Sequence, residues 1–256
     1  MTEPNTHQEM SSKFYPLPCL FTIASLFCGF YSIIAAIKGD FTIAATAILV
    51  AAIFDGIDGR VARLTGTTST FGMELDSLCD LVSFGVAPGL LAYFWALQPY
   101  GRYGWLAAFL YVATTTLRLA HFNSQHSEAP KNFVGLPCPA AAAMISTTVL
   151  FCNDIGITRP MTHISILLLV YLLSYLMVST HPYSSFKQRL AKRTKTFQLL
   201  VSFLLLFILV AAKPEVMLFV IFLGYIVSGP LMAIFKHLKK PVQSGASETP
   251  PKHPVK

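Results

Sequence analysis

The chain has 256 residues, 54% of them hydrophobic and 12% charged, with a formal net charge of +7 and a mean hydropathy of +0.59. That balance excludes both a water-soluble globular domain and a disordered chain, because too few polar residues remain to cover a soluble surface. The composition predicts an all-α integral membrane protein.

Residues 1–13 are polar and predict a disordered N-terminal tail. Uncharged runs then recur at 15–37, 41–54, 81–101, 103–117, 132–153, 161–186, 196–212 and 216–235. Several reach the ~20 residues needed to cross ~30 Å of hydrocarbon. The short runs 41–54 and 103–117 reach it by extending through polar neighbours that face a protein-lined cavity. We therefore expect about eight transmembrane helices in one membrane-embedded catalytic domain over 14–238. A Pro- and Ser-rich tail with no apolar periodicity follows at 239–256.

Alternating the loops between the two sides of a bilayer collects 15 of the 19 basic residues on the side of the two termini, leaving Lys38, Arg102, Arg159 and Lys213 opposite. The positive-inside rule makes the richer side cytoplasmic and favours an even number of spans. The first apolar run carries Pro16 and Pro18, is longer than a signal-peptide core and lacks a small-residue cleavage site, so it reads as a retained helix. The basic run Lys187, Arg189, Lys192, Arg193 and Lys195 marks cytoplasmic topology, with attraction to anionic headgroups as a second role.

Chemistry concentrates in "FDGIDGRVARLTGTTSTFGMELDSLCDLV" at 54–82, which holds five of the chain's 12 acidic residues. On a helix, Asp55, Asp58, Gly59 and Ala62 form one stripe; on the next, Gly72, Asp76 and Asp80 form another, while Glu74 points elsewhere. "LTGTTST" between them favours a turn, so the two acidic faces can oppose each other at the cytoplasmic end of the bundle. Four carboxylates withdrawn from water carry an electrostatic cost that bound cations offset. All-oxygen ligands select Mg²⁺ or Mn²⁺, and four carboxylates suit two ions about 4 Å apart, a known tool for phosphoryl displacement.

The small residues Gly59, Ala62 and Gly72 leave room for a bulky ligand beside the acids, and Arg63 adds a planar fork for phosphate. Those features describe a diphosphate site at a membrane surface. A cation or proton pathway is the alternative from another class. It has no use for an arginine beside its acids, and residues 130–256 carry only Asp154, Glu215 and Glu248, without a second acidic pattern. Cys19, Cys28, Cys79, Cys138 and Cys152 show no CxxC spacing and read as packing residues. The seven histidines show no zinc spacing, and neither a P-loop nor a dinucleotide fingerprint is present.

Read with its spacing, the window is Asp55-x2-Asp58-Gly59-x2-Ala62-Arg63-x8-Gly72-x3-Asp76-x3-Asp80, which resembles in full the signature of the CDP-alcohol phosphatidyltransferase family. "ELDSLCDLVSFGVAP" at 74–88, "LRLAHFN" at 117–123, "FVGLPCP" at 133–139 and "LSYLMVS" at 173–179 are similar to its bacterial members that use serine as acceptor. The likeness runs from about 14 to 190.

The resemblance implies attack of the L-serine hydroxyl on the β-phosphorus of CDP-diacylglycerol, releasing CMP. It implies that Asp55 and Asp76 bridge two metals, that Asp58 completes the first and Asp80 the second, and that Asp80 is the general base. Gly59 and Arg63 contact the CDP-lipid, Ser69 touches the nucleotide, and the resemblance further implies a homodimer in the bacterial inner membrane. Sibling enzymes use glycerol 3-phosphate, inositol phosphate or choline, so the acceptor stays open on the motif alone. In "LPCLFTIASLFCGF", Cys19 and Ser25 stand where many relatives carry Asn, which leaves Pro18 and Cys19 as candidate nucleotide contacts. Arg118 and Asn123 are the candidates for binding serine, and a local break at Gly135, Pro137 and Pro139 can turn backbone groups toward the cavity.

Overall fold

The computed structural model describes residues 16–65, 70–124, 135–157, 164–179 and 212–238, together with Val201 and Leu204. No strand occurs among the described residues. Helix α1 (Pro16–Lys38) starts with prolines in its first turn, where no intrahelical N–H is lost. It stops at Gly39, whose positive φ of 85° closes a C-cap: Gly39 N donates to Ala36 O and Asp40 N to Ala35 O. The tight turn sends α2 (Phe41–Thr65) back antiparallel to α1. Ala35, Ala36, Ala44, Ala45, Ile48 and Ala51 are buried along this pair, and the small side chains let the two backbones approach closely.

A single helical rod follows from α3 (Thr70–Asp80) to Tyr100. It passes through a π-helical turn at Leu81–Val86, α4 (Ala87–Ala92), a second π-helical stretch at Tyr93–Leu97 and a 3₁₀ turn at Gln98–Tyr100. Gly101, at φ 53°, breaks it and starts α5 (Arg102–Ser124). Gly104 then sits so tightly against the Leu97 carbonyl that no Cβ fits there.

Helix α6 (Cys138–Asp154) is the centre of the bundle, since every residue from Ala141 to Leu150 is buried. A helix hidden on all faces needs no polar stripe, and its sequence has none. Against it pack α2, α7 (Ile164–Val178), α8 (Pro214–Leu238) and the first π turn. The outer faces expose large apolar residues such as Phe27, Phe30, Trp105, Phe109 and Leu172, which fits a hydrocarbon surround.

Among the described residues, four helical stretches are long and apolar enough to cross a membrane: Cys19–Lys38, Phe41–Val61, Phe71–Tyr100 and Pro214–Leu231. Seven of the eight expected helices have described counterparts; the run 196–212, like both tails, falls almost wholly outside the described residues. The expected second run, 41–54, continues without a break to Thr65, so the first acidic stripe lies on α2.

Candidate active site

The two stripes meet. Asp55 on α2 and Asp76 and Asp80 on α3 bring one carboxylate oxygen each to within 4.8 Å of one another. Asp58 stands one turn further along α2, 5% exposed, within electrostatic reach of both Asp55 and Asp76. Glu74 is exposed and apart from the cluster, as the stripe geometry predicts.

The cluster fits divalent cations. Asp58 Oδ2 and Asp76 Oδ1 are buried and have no hydrogen-bond partner among the described residues. The Asp55 and Asp80 carboxyl groups are in hydrogen-bonding contact, an approach two carboxylates make only with a proton or a cation between them. Oxygen atoms alone form this donor set, which suits hard ions.

Helix α1 holds the other side of the site. Thr22, 6% exposed, donates to the Asp58 carboxylate, and the Gly59 backbone N–H donates to it as well. Ser25 Oγ donates to Ala51 O at 3.1 Å, tying α1 to α2 just before the motif. Ser83 Oγ donates to Ser25 O at 3.1 Å, tying the π turn back to α1. Gly29 makes that approach possible: a Cβ there would lie 2.7 Å from Ser83 Cα. From the far side Tyr111 Oη donates to Phe84 O at 3.2 Å. The π turn begins one residue after Asp80, and these contacts fix where the last acid points.

The face beside the acids is open. A Cβ on Gly59 would meet nothing within 4 Å, so packing within the described protein does not require glycine there. Gly72 is half-buried on α3. Ala62 and Arg63 lie on α2 and Pro18 on α1, but their side chains, and all of Ser69, fall outside the described residues. Cys19 is half-buried on α1.

The two residues expected to meet serine are both engaged with the protein. Arg118 Nη1 donates to Met177 O at 3.1 Å, holding α5 to the C-terminal end of α7. Gly135, at φ 80°, lies in the same junction, where a Cβ would meet Met177 O and Arg118 Nη1. Leu136 N completes it by donating to Leu176 O at 3.0 Å. Cys138, at the start of α6, is within electrostatic reach of both Arg118 and Asp80. Asn123 pairs with Ser77 on α3.

Sequence reasoning passed over Thr22, Ser77 and the π turn. One signal for the first was available: Thr22, Ser25, Gly29 and Ser32 recur at helical spacing in an otherwise apolar run, a small polar stripe that faces the motif helices.

An all-helical fold with apolar helices long enough to cross a membrane and an acidic cluster shared by α2 and α3 that could hold a metal ion defines a class of candidate membrane enzymes. The chain belongs to the CDP-alcohol phosphatidyltransferase family, whose model matches residues 15–173. Within that family it is similar to the CDP-diacylglycerol–serine O-phosphatidyltransferase of Helicobacter pylori, 40% identical over 226 residues that cover 88% of this chain and 94% of the relative. The Bacillus subtilis enzyme of the same name is 35% identical over 182 residues, covering 70% of this chain and 96% of that one. An archaetidylserine synthase of Methanothermobacter thermautotrophicus is 37% identical over 162 residues, covering 62% and 69%.

Proposed function

We propose that this chain is a phospholipid-synthesising transferase that moves the phosphatidyl group of CDP-diacylglycerol to the hydroxyl of L-serine, giving phosphatidylserine and CMP. The convergence of Asp55, Asp76 and Asp80 oxygens within 4.8 Å carries the reading, because it supplies the dense negative charge that a metal-assisted diphosphate site needs. The names of the full-length bacterial relatives support serine as acceptor.

In this reading a new P–O bond forms from the serine oxygen to the β-phosphorus as the P–O bond to CMP breaks. Asp80 takes the hydroxyl proton. Asp55, Asp58, Asp76 and Asp80 would hold two divalent ions, Mg²⁺ or Mn²⁺. When bound, those ions offset the charge on the transferring phosphoryl group and on departing CMP. Gly59, Ala62 and Gly72 admit the diphosphate, Arg63 grips it, and Ser69 with Pro18 and Cys19 borders the cytidine. Arg118 is the residue we assign to the serine carboxylate, because a guanidinium offers a carboxylate a planar donor fork. We further propose that the catalytic domain spans 14–238 with eight transmembrane helices, works as a homodimer in the bacterial inner membrane, and opens its site to the cytoplasm.

The test is product analysis. Purified protein given CDP-diacylglycerol, Mg²⁺ or Mn²⁺ and labelled L-serine should place the label in phosphatidylserine. Labelled lipid should be absent when the metal is chelated. Label that never enters lipid overturns the reading.

A further inference from the structure

Helix α3 carries two of the four acids at the start of the rod that runs to Tyr100. Its 11 residues are less covered than the rod beyond them: Phe71, Met73, Glu74 and Leu78 are exposed, and of its described side chains only Cys79 is fully buried. Packing on α1 and continuity with the buried rod hold α3 in place, and polar ties add to them in setting where its acids stand.

Ser77 provides such a tie. It stands between Asp76 and Asp80 in sequence and reaches across to Asn123, in the last turn of α5. Ser77 Oγ lies against the edge of the Asn123 amide, 2.9 Å from Nδ2, which donates to it, and 3.1 Å from Oδ1. Both groups are part-buried, so water competes poorly for the pair. Asn123 thus meets the helix that bears the acids through one hydrogen bond to the Ser77 hydroxyl.

We propose that Ser77 and Asn123 form a positioning latch that holds α3 against α5 and so sets where Asp76 and Asp80 meet Asp55. Asn123 acts through α3 on the metal site and does not read the acceptor alcohol. The proposal rests on the metal-dependent transferase reading above. Partners one step behind metal ligands orient them, and losing one costs about ten- to a hundredfold in metal affinity or activity.

The experiment titrates Mn²⁺ into the purified, substrate-free protein, follows free Mn²⁺ by electron paramagnetic resonance, and pairs this with steady-state kinetics. Ser77→Ala and Asn123→Ala should each weaken Mn²⁺ binding by roughly tenfold and lower kcat, with KM for serine unchanged. The double variant should be no worse than the weaker single, because either change breaks the same pair. Ser77→Thr, which keeps the hydroxyl, should bind Mn²⁺ like the parent. Should the alanine variants fail to fold, Ser77→Cys weakens the pair without emptying its space, and an intermediate Mn²⁺ affinity is expected. A raised KM for serine in Asn123→Ala with Mn²⁺ binding intact overturns the latch and makes Asn123 an acceptor contact. Losses that multiply in the double variant, or parent-like Mn²⁺ binding in Ser77→Ala or Ser77→Cys, also overturn it. A failed transferase reading looks different: the parent protein then releases no CMP with serine, whatever the variants do to Mn²⁺.

Discussion

Thr22 of α1 donates a hydrogen bond to the Asp58 carboxylate and leaves Asp58 Oδ2 buried without a partner among the described residues. One oxygen is thereby held by the protein while the other stays available to a cation. A hydrogen bond to a charged group contributes about 1.5–3 kcal/mol, enough to fix the rotamer of a side chain that would otherwise turn.

Thr22→Val preserves shape and removes the hydroxyl. We predict a roughly tenfold higher requirement for Mg²⁺ or Mn²⁺, read as the metal concentration giving half-maximal CMP release. Thr22→Ser should behave like the parent. Equal metal dependence in the Val and parent proteins would show that Thr22 does not orient Asp58.

Asp80 sits at the junction of α3 and the π turn, in contact with Asp55. Asp80→Asn removes the proposed base and one metal ligand but keeps Asp55, Asp58 and Asp76. Turnover should fall about 10²–10⁴-fold, while CDP-diacylglycerol binding, measured by equilibrium dialysis of the labelled nucleotide lipid in detergent, should persist. Turnover near the parent level would remove Asp80 from the mechanism.

Gly59 and Gly29 differ in what an added side chain would meet. At Gly59 an added side chain meets nothing in the described protein, so Gly59→Val should leave the melting temperature in place and raise KM for CDP-diacylglycerol. At Gly29 a Cβ would lie 2.5 Å from Ser83 Oγ and 2.7 Å from Ser83 Cα. Gly29→Ala should therefore destabilise the fold by about 1–3 kcal/mol through overpacking, read as a lower melting temperature in detergent. The reverse pattern would invert the two assignments.

The acidic window was legible because its period matches helices: residues three and four apart on α2, and four apart on α3, must share a face whatever surrounds them. Fold class was legible for a similar reason, since apolar composition over runs of ~20 residues leaves few alternatives. What the sequence concealed depends on distance in space. Nothing local marks Ser77 as the partner of Asn123, 46 positions away. Neither does anything local mark Ser83 as the residue that needs Gly29. The π turn after Asp80 is marked locally only by Gly85 and Pro88, whose missing N–H leaves the Phe84 carbonyl without its helical partner; the ties of Ser83 to α1 and of Phe84 to α5 are distant in sequence. Arg118 illustrates the converse, a residue whose charge suggested a ligand and whose Nη1 also holds the Met177 carbonyl.

The central claim is that the acids on α2 and α3 serve transfer from CDP-diacylglycerol to serine. The most direct measurement is CMP release by the purified protein with CDP-diacylglycerol and Mn²⁺, comparing L-serine with glycerol 3-phosphate, inositol phosphate and choline. CMP should appear with serine alone, in step with phosphatidylserine formed. CMP with another alcohol and none with serine would contradict it.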